Sequence, residues 1–371
     1  MVSKQKSVTF AAVGDVILAR KNYMASLTRV RNILREADVA FFNSETPYAT
    51  QGSPGMGQHG APAHDPMVMP ALVDAGFDVC TVANNHTLDW GIDAVVECRE
   101  RYEKMGIAVC GIGSNMTEAR KPAIVEKKGV KFAFLGYCST GPEGIMAEED
   151  KPGCAVVRAH TVYEPYEYQP GSPPSITTFC FRQDLKNMVE DIKKAKEQAD
   201  IVVMTNHWGI HHLPIVIPEY EYDCAYAAID AGADLVLGTH PHILKAVEVY
   251  KGKAIFHSLS NFAMENRLAK MEGVIRSFGM KSWSWREKMA TGPRSPDDKK
   301  TIIVKCVING KKLERVSYLP VMLDEYDANP EPITRSDPRA EGVFKYVDEI
   351  SRAAGHNTKF SWDGDEVVVH T

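Results

Sequence analysis

The stretch FDVCTVANNHTLDWG, residues 77–91, decides how the chain is read. Its first six residues are mostly apolar and rich in β-branched or aromatic side chains, which suit a buried strand. Two asparagines and a histidine follow at once, and Trp90-Gly91 then makes a turn. Carboxamides and imidazoles are costly to bury unless their polar atoms find partners. Asn84, Asn85 and His86 are therefore not there for packing, and a polar task is expected at the end of this strand.

Other apolar runs end the same way. VTFAAVGD (8–15) ends in Asp15 and ADVAFFNSE (37–45) in Asn43 and Glu45. ADIVVMTNHWG (199–209) delivers His207, and ADLVLGTHPH (233–242) delivers His240 and His242. GIAVCGIG (106–113) is a further strand candidate. Helical patterns at 21–37, 66–76 and 91–106 separate the first four runs, with Gly76 and Gly106 where helix ends favour a left-handed residue. Strands alternating with helices predict an α/β core with crossover connections.

The rest of the chain extends that pattern. Hairpins are predicted at 122–138, turning near Lys128-Gly129, at 246–262, turning at Lys251-Gly252, and at 301–323, turning at Asn309-Gly310. Helices are predicted at 182–199, at about 218–232 and near 340–353, the last preceding a polar tail. The Pro- and Tyr-rich segment 141–178 reads as irregular. Residues 263–300 have no clean period and read as a lid or an interface, which leaves a homo-oligomer open. One domain is expected over 1–371, with a core at 8–262, the insertion 263–300 and a C-terminal hairpin and helix in 301–371.

The 371 residues are 44% hydrophobic and 25% charged, with a net charge of −5. Lys and Arg are dispersed, which argues against a nucleic-acid or acidic-lipid partner. No apolar segment reaches the ~18–20 residues that span a bilayer, so no membrane partner is expected. Gly14-Asp15 interrupts the first apolar run and no small-residue cleavage site follows, so a first strand is expected rather than a secretory leader. The eight cysteines never form Cys-x-x-Cys. They read as small buried hydrophobes in a reducing compartment, with the cytoplasm as the expected address.

In open α/β sheets, sites assemble at the carboxyl ends of the strands. Five runs here would bring Asp, Glu, Asn and four of the twelve histidines to one edge. That mixture of hard oxygens and imidazoles is the composition of a metal site. In GTHPH, Pro241 is expected to impose an extended path, letting both imidazoles approach one centre.

GDVIL, NSE, ANNHTLDWG, NHWG, GTHPH and FHSLSNF, in that order over residues 8–262, resemble the successive signatures of the CapA-type poly-gamma-glutamate synthesis family. That family is a branch of the calcineurin-like metallophosphoesterase superfamily. The resemblance implies a four-layer α/β/β/α sandwich holding one or two divalent metal ions (Zn, Mn, Fe or Co). It implies Asp15 on a first metal, with Glu45 as a bridging or nearby carboxylate. Asn85, His207 and His240 would hold a second metal, and His242 would return to the first. His86 would face the substrate as general acid or base. Asp89 would either cap the next helix or orient His86.

This sequence also departs from those patterns. The Asp-x-His opening of metallophosphoesterases is Gly-Asp-Val-Ile here, and their Gly-Asp-x-x-Asp is replaced by Asn43-Ser44-Glu45. Within the CapA-type pattern His211, followed by His212, stands where glutamate is usual; His257 replaces a tyrosine and Ser260 a glycine. These histidines either build a distinct substrate pocket, with His211 a further catalytic candidate, or are solvent-facing or hydrogen-bonded.

Divalent metals lower the pKa of water toward ~7. A metal-bound hydroxide attacking a small ester, amide or phosphoester, with His86 protonating the leaving group, is the first expectation. A metal-dependent C–C lyase releasing an aldehyde from an aromatic substrate is the second, motivated by Tyr163, Tyr166, Tyr168, Tyr220, Tyr222, Tyr226, Trp283 and Trp285. A non-catalytic accessory of polyglutamate synthesis is the third. Such members carry an N-terminal anchor or export signal, and neither is read in this sequence.

Overall fold

The computed structural model describes residues 7–54, 64–165, 174–265, 296–324 and 329–371. Its strands are β1 (Val8–Ile17), β2 (Val39–Ser44), β3 (Val79–Thr81), β4 (Ala108–Cys110), β5 (Ile112–Gly113), β6 (Ala123–Lys127), β7 (Val130–Cys138), β8 (Gly153–Cys154), β9 (Ala159–Glu164) and β10 (Ser175–Cys180). Then come β11 (Ile201–His207), β12 (Leu235–Thr239), β13 (Val247–Tyr250), β14 (Lys253–Phe256), β15 (Asn261–Met264), β16 (Lys300–Asn309), β17 (Lys312–Leu323), β18 (Pro330–Pro332), β19 (Lys359–Asp363) and β20 (Glu366–His370). The helices are α1 (Arg31–Glu36), α2 (Pro70–Ala75), α3 (Gly91–Lys104), α4 (Met116–Ala119), α5 (Arg182–Gln198), α6 (Glu219–Ala231) and α7 (Pro338–Ala353).

Two large sheets result. One runs β19-β20-β17-β16-β1-β2-β3-β4, with β15 beside β1 and β18 beside β17; the other runs β13-β14-β12-β11-β7-β6. Their inner faces meet in one core, where Phe10 and Phe41 of the first sheet pack on Phe134 of the second. The Phe41 and Phe134 rings stack at 5.8 Å. Each such buried side chain contributes about 1.5–3 kcal/mol.

The outer faces are covered separately. Leu34, Leu72 and Tyr102 from α1, α2 and α3 lie on Phe42 and Cys80 of the first sheet. Met188, Ile192, Cys224 and Ala228 from α5 and α6 lie on Leu135, Val202 and Val236 of the second. The layers are thus α/β/β/α, as the resemblance implies, and α7 joins the inner core through Ala340, Val343 and Val347.

Several expectations need correction. The helix predicted over 21–37 is reduced to a 3-10 turn at Tyr23–Ala25 and α1. Thr28 Oγ1 donates to the Ala25 carbonyl at 3.0 Å, the local competition by which hydroxyls break up helices. Part of the segment read as irregular pairs as a β9–β10 hairpin, because HTVYE and SITTFC carry strand formers between the prolines. The hairpin predicted over 246–262 ends at Phe256, and β15 crosses to pair with β1 in the other sheet. The last hairpin turns at Gly310-Lys311, since Asn309 is still paired with Lys312. The polar tail is a hairpin, β19–β20, joined to β17.

All eight cysteines are buried and free. No helix among the described residues is long and apolar enough to cross a membrane. Most of the predicted lid or interface, 266–295, lies outside the described residues, as do Tyr166, Tyr168, Trp283 and Trp285.

Candidate metal centre

Parallel pairing puts the strand ends level. Asp15 on β1 is in register with Asn43 on β2 and with Asn261 on β15, and His207 on β11 is in register with Thr239 on β12. Gly14 makes the first of these junctions possible. A Cβ there would lie 1.9 Å from the Ser260 carbonyl oxygen, the same oxygen that accepts from the Asp15 amide at 3.0 Å.

The candidate residues meet at this rim. Asp15 and Glu45 are buried. His242 Nδ1 lies 3.6 Å from Asp15 Oδ2, and His242 Nε2 lies 3.4 Å from Glu45 Oε1. One ligand atom from each of these three residues falls within 4.8 Å of the others. Beside them His207 Nε2 lies 2.7 Å from Asn85 Oδ1, 3.1 Å from His240 Nδ1 and 3.9 Å from Glu45 Oε1. Glu45 therefore stands between two groups of donors.

Burial lowers the proton affinity of His207 and His240 well below the ordinary histidine range, and the neighbouring imidazoles add to the effect. Both rings are thus neutral at physiological pH, the state in which imidazole offers a lone pair.

The turn after β3 is built by its own side chains. Asn84 Nδ2 donates to the Ser44 carbonyl at 2.7 Å, while Asn84 Oδ1 accepts from the His86 amide at 3.0 Å. Asp89 Oδ2 lies 2.7 Å from His86 Nδ1. Helix α3 begins at Gly91 with Trp90 as its N-cap residue and no side-chain cap. Of the two readings of Asp89, the geometry displays the orienting one.

GTHPH does not take the extended path expected of it. His240 has φ 98° and His242 φ 60°, with Ser260 and His212 also at positive φ. The other non-glycine residues with positive φ among those described, Lys128 and Lys251, sit in hairpin turns. Left-handed backbone at non-glycine residues costs on the order of 1–3 kcal/mol and gathers at functional sites. Here it turns the His242 ring back toward Asp15.

His211 is exposed, its ring 3.9 Å from that of His240 and 5.2 Å from that of His242. His257 is wholly buried and belongs to no pocket at this rim. Tyr220, Tyr222 and Tyr226 lie on α6 rather than in a loop.

Some residues at the rim were given no role from the sequence. Asn43 Nδ2 donates to Asp15 Oδ1 at 2.7 Å and fixes the carboxylate's angle. Thr239 Oγ1 lies 2.9 Å from His207 Nδ1, the ring nitrogen opposite the one that meets Asn85. Asn261 Oδ1 lies 2.8 Å from His242 Nδ1, on the side that also meets Asp15. The signal available was positional: each stands at a strand end next to a candidate.

The protein is thus a four-layer sandwich whose strand ends gather carboxylates, imidazoles and a carboxamide at one rim. Residues 9–266 match the family model described as bacterial capsule synthesis protein PGA_cap, and the chain belongs to that family. It is 29% identical over 274 residues to the PGA biosynthesis protein CapA of Bacillus subtilis, covering 68% of this chain and 62% of that one. It is 26% identical over 277 residues to the capsule biosynthesis protein CapA of Bacillus anthracis, covering 71% of this chain and 61% of that one. The chain thus spans about three fifths of the length of these relatives. The solved calcineurin-like phosphoesterase YfkN from Bacillus subtilis superposes with a TM-score of 0.40 at 15% identity, covering 94% of this chain and 97% of that one. The layer order rests on the packing above, not on that superposition.

Proposed function

We propose that this rim is the active site of a metal-dependent hydrolase acting on a small ester, amide or phosphoester. The reading is carried by the convergence of Asp15, Glu45 and His242, whose ligand atoms lie within 4.8 Å of one another. The donor set suits a divalent ion such as Zn, Mn, Fe or Co: carboxylates, a carboxamide and neutral imidazoles. Asp15, Glu45 and His242 would hold one ion, and Asn85, His207 and His240 a second, with Glu45 between them. A divalent cation bound there supplies Lewis acidity toward water and toward an oxygen of the substrate.

His86 stands partly exposed beside Asn85, with its side chain 23% accessible. Asp89 holds Nδ1, which leaves Nε2 to pass a proton to the leaving group. His211, its ring stacked on that of His242, would flank the substrate side. Tyr220 and Tyr226 are tied to Gly209 and Glu248 instead. The resemblance to the poly-gamma-glutamate synthesis family makes a γ-linked glutamyl amide the first substrate class to try.

The test is a panel of esters, amides and phosphoesters offered to the Zn²⁺- or Mn²⁺-loaded chain in oxygen-labelled water. Turnover with label in the product is expected, falling roughly 10²–10⁴-fold in His86→Ala while the metal content holds. A fully loaded protein inert across the panel would sink the reading. Turnover without label uptake would replace it by the lyase.

A further inference from the structure

A second polar cluster is enclosed behind the loops that carry His207 and His240. His257 is wholly buried, and Glu221 and Glu248 nearly so. His257 Nδ1 lies 3.0 Å from Glu221 Oε2, and its Nε2 lies 3.3 Å from Glu248 Oε2. Tyr226 donates to the other Glu248 oxygen at 2.5 Å. His356 enters from the segment after α7: its Nδ1 lies 3.8 Å from Glu248 Oε1, and its ring is parallel to that of His257 at 5.8 Å. One ligand atom from each of Glu248, His257 and His356 falls within 4.8 Å of the others.

Glu221 engages one nitrogen of His257 and leaves the other aimed at Glu248. A carboxylate behind an imidazole is the arrangement that fixes the tautomer and aim of metal-ligating histidines. Tetrahedral bonds of about 2.0–2.2 Å place donor atoms roughly 3.3–3.5 Å apart. The His257 separation from Glu248 Oε2, 3.3 Å, already matches, and His356 faces the other carboxylate oxygen, Oε1, at 3.8 Å. Elsewhere in the cluster Lys245 Nζ is engaged by the Leu213 and Val216 carbonyls, so the lysine does not occupy the space between Glu248 and His356.

We propose that Glu248, His257 and His356 form a second divalent-cation site, distinct from the rim and suited to an ion of the Zn²⁺ class. Its ligands come from β13, the end of β14 and the segment between α7 and β19. A bound ion therefore staples the C-terminal hairpin to the second sheet. The ion takes the place of a proton on His257 Nε2, and the proton is released on binding. The His356 side, where the ring is 10% accessible, is the route of entry.

The experiment uses the full chain, freed of metal by a chelator, reloaded with Zn²⁺ alone, desalted and assayed for bound Zn²⁺. Asp15→Asn combined with His240→Ala, which removes a ligand from each proposed rim ion, is expected to keep about one equivalent. Adding His356→Ala removes it, and His356→Cys in place of the alanine restores it, because thiolate is a good Zn²⁺ ligand. With Co²⁺ the cysteine form gains an absorption band that the alanine form lacks. His356 lies on a partly exposed segment, and circular dichroism checks that each variant is folded. Equal Zn²⁺ content in the Asp15→Asn, His240→Ala protein with and without His356→Ala overturns the proposal, as does an Asp15→Asn, His240→Ala protein that retains no Zn²⁺.

Discussion

His207 and His257 are almost equally buried, and burial disfavours a charged ring in both. Their surroundings then diverge. His207 faces a carboxamide and other imidazoles, so its proton affinity stays well below the ordinary value. His257 sits between Glu221 and Glu248, whose hydrogen bonds and charge outweigh burial and raise its proton affinity. Depth alone does not set the charge of a buried ring; the neighbours do. The rim sets neutral rings beside carboxylates, whereas the inner cluster holds a proton between two carboxylates, the proton that a bound ion would displace.

The largest expected effect breaks this contrast at the rim. Asp15→Asn should abolish tight metal binding there and lower kcat/KM by roughly 10³-fold or more, because the Lewis acid leaves with its ligand. The metal-free protein should nonetheless melt no lower than the parent, since one of two neighbouring buried carboxylates has been neutralised. What disappears is the rise in Tm on adding metal, worth about 2.7 kcal/mol at a hundredfold excess over Kd. A variant that still loads metal at the rim and turns over normally would show that Asp15 is not a ligand.

The inner cluster should respond with the opposite sign. His257→Ala leaves Glu221 and Glu248 buried without their shared partner, and removing one member of a buried ion pair costs about 3–5 kcal/mol. Urea unfolding of the metal-free protein measures it. A loss under about 1 kcal/mol would mean that the glutamates take up protons and that the contrast between the clusters is weaker than the geometry suggests.

A smaller effect separates orienting from capping at the turn after β3. Asp89→Asn keeps the size of the side chain but weakens its hold on His86 Nδ1. Loss of such a supporting partner typically costs 10–100-fold, so kcat should fall by about that factor with bound metal unchanged. A change in stability without a change in kcat would return Asp89 to a structural role.

What the sequence made legible follows from the same physics. Apolar strands ending in Asp15, Asn85, His207 and His240 stand out because a buried run and a polar terminus have different costs. The inner cluster has no such signature. Glu221 lies in the first turn of a helix, Glu248 in a strand and His356 past the last helix, and only the tertiary packing brings them together. His257 was noticed as a departure from the family pattern, but its neighbours could not be. The backbone of His240 and His242 was misread for a related reason: Pro241 restricts its own φ and biases the residue before it, while contacts with Asp15 and Asn261 decide the rest. The C-terminal hairpin falls in what reads as a polar tail, although Asp363-Gly364 is a strong turn signal flanked by Phe360, Trp362 and three valines at 367–369.

The smallest effect sharpens the comparison with a carboxylate that is neither ligand nor buried partner. Glu97 on α3 accepts from the Thr50 and Gln51 amides at 2.9 Å and 2.8 Å and pairs with Arg101. It thereby ties the segment after Glu45 to the helix that follows His86. Partial burial works against its charge, but these hydrogen bonds outweigh it and bring its pKa down to about 2. The unfolded chain takes up this proton near pH 4.5. Stability from Glu97 is therefore fully present above about pH 4.5 and is lost as the pH falls toward about 2. Because its side chain is 14% accessible and its partners lie at the surface, screening holds the effect to about 1 kcal/mol. Glu97→Gln should be less stable than the parent at pH 6 by about 1 kcal/mol, and the two should converge as the pH falls toward about 2. A difference that stays constant with pH would assign the contribution to packing rather than to charge, and would remove Glu97 from the electrostatic ties that hold the rim together.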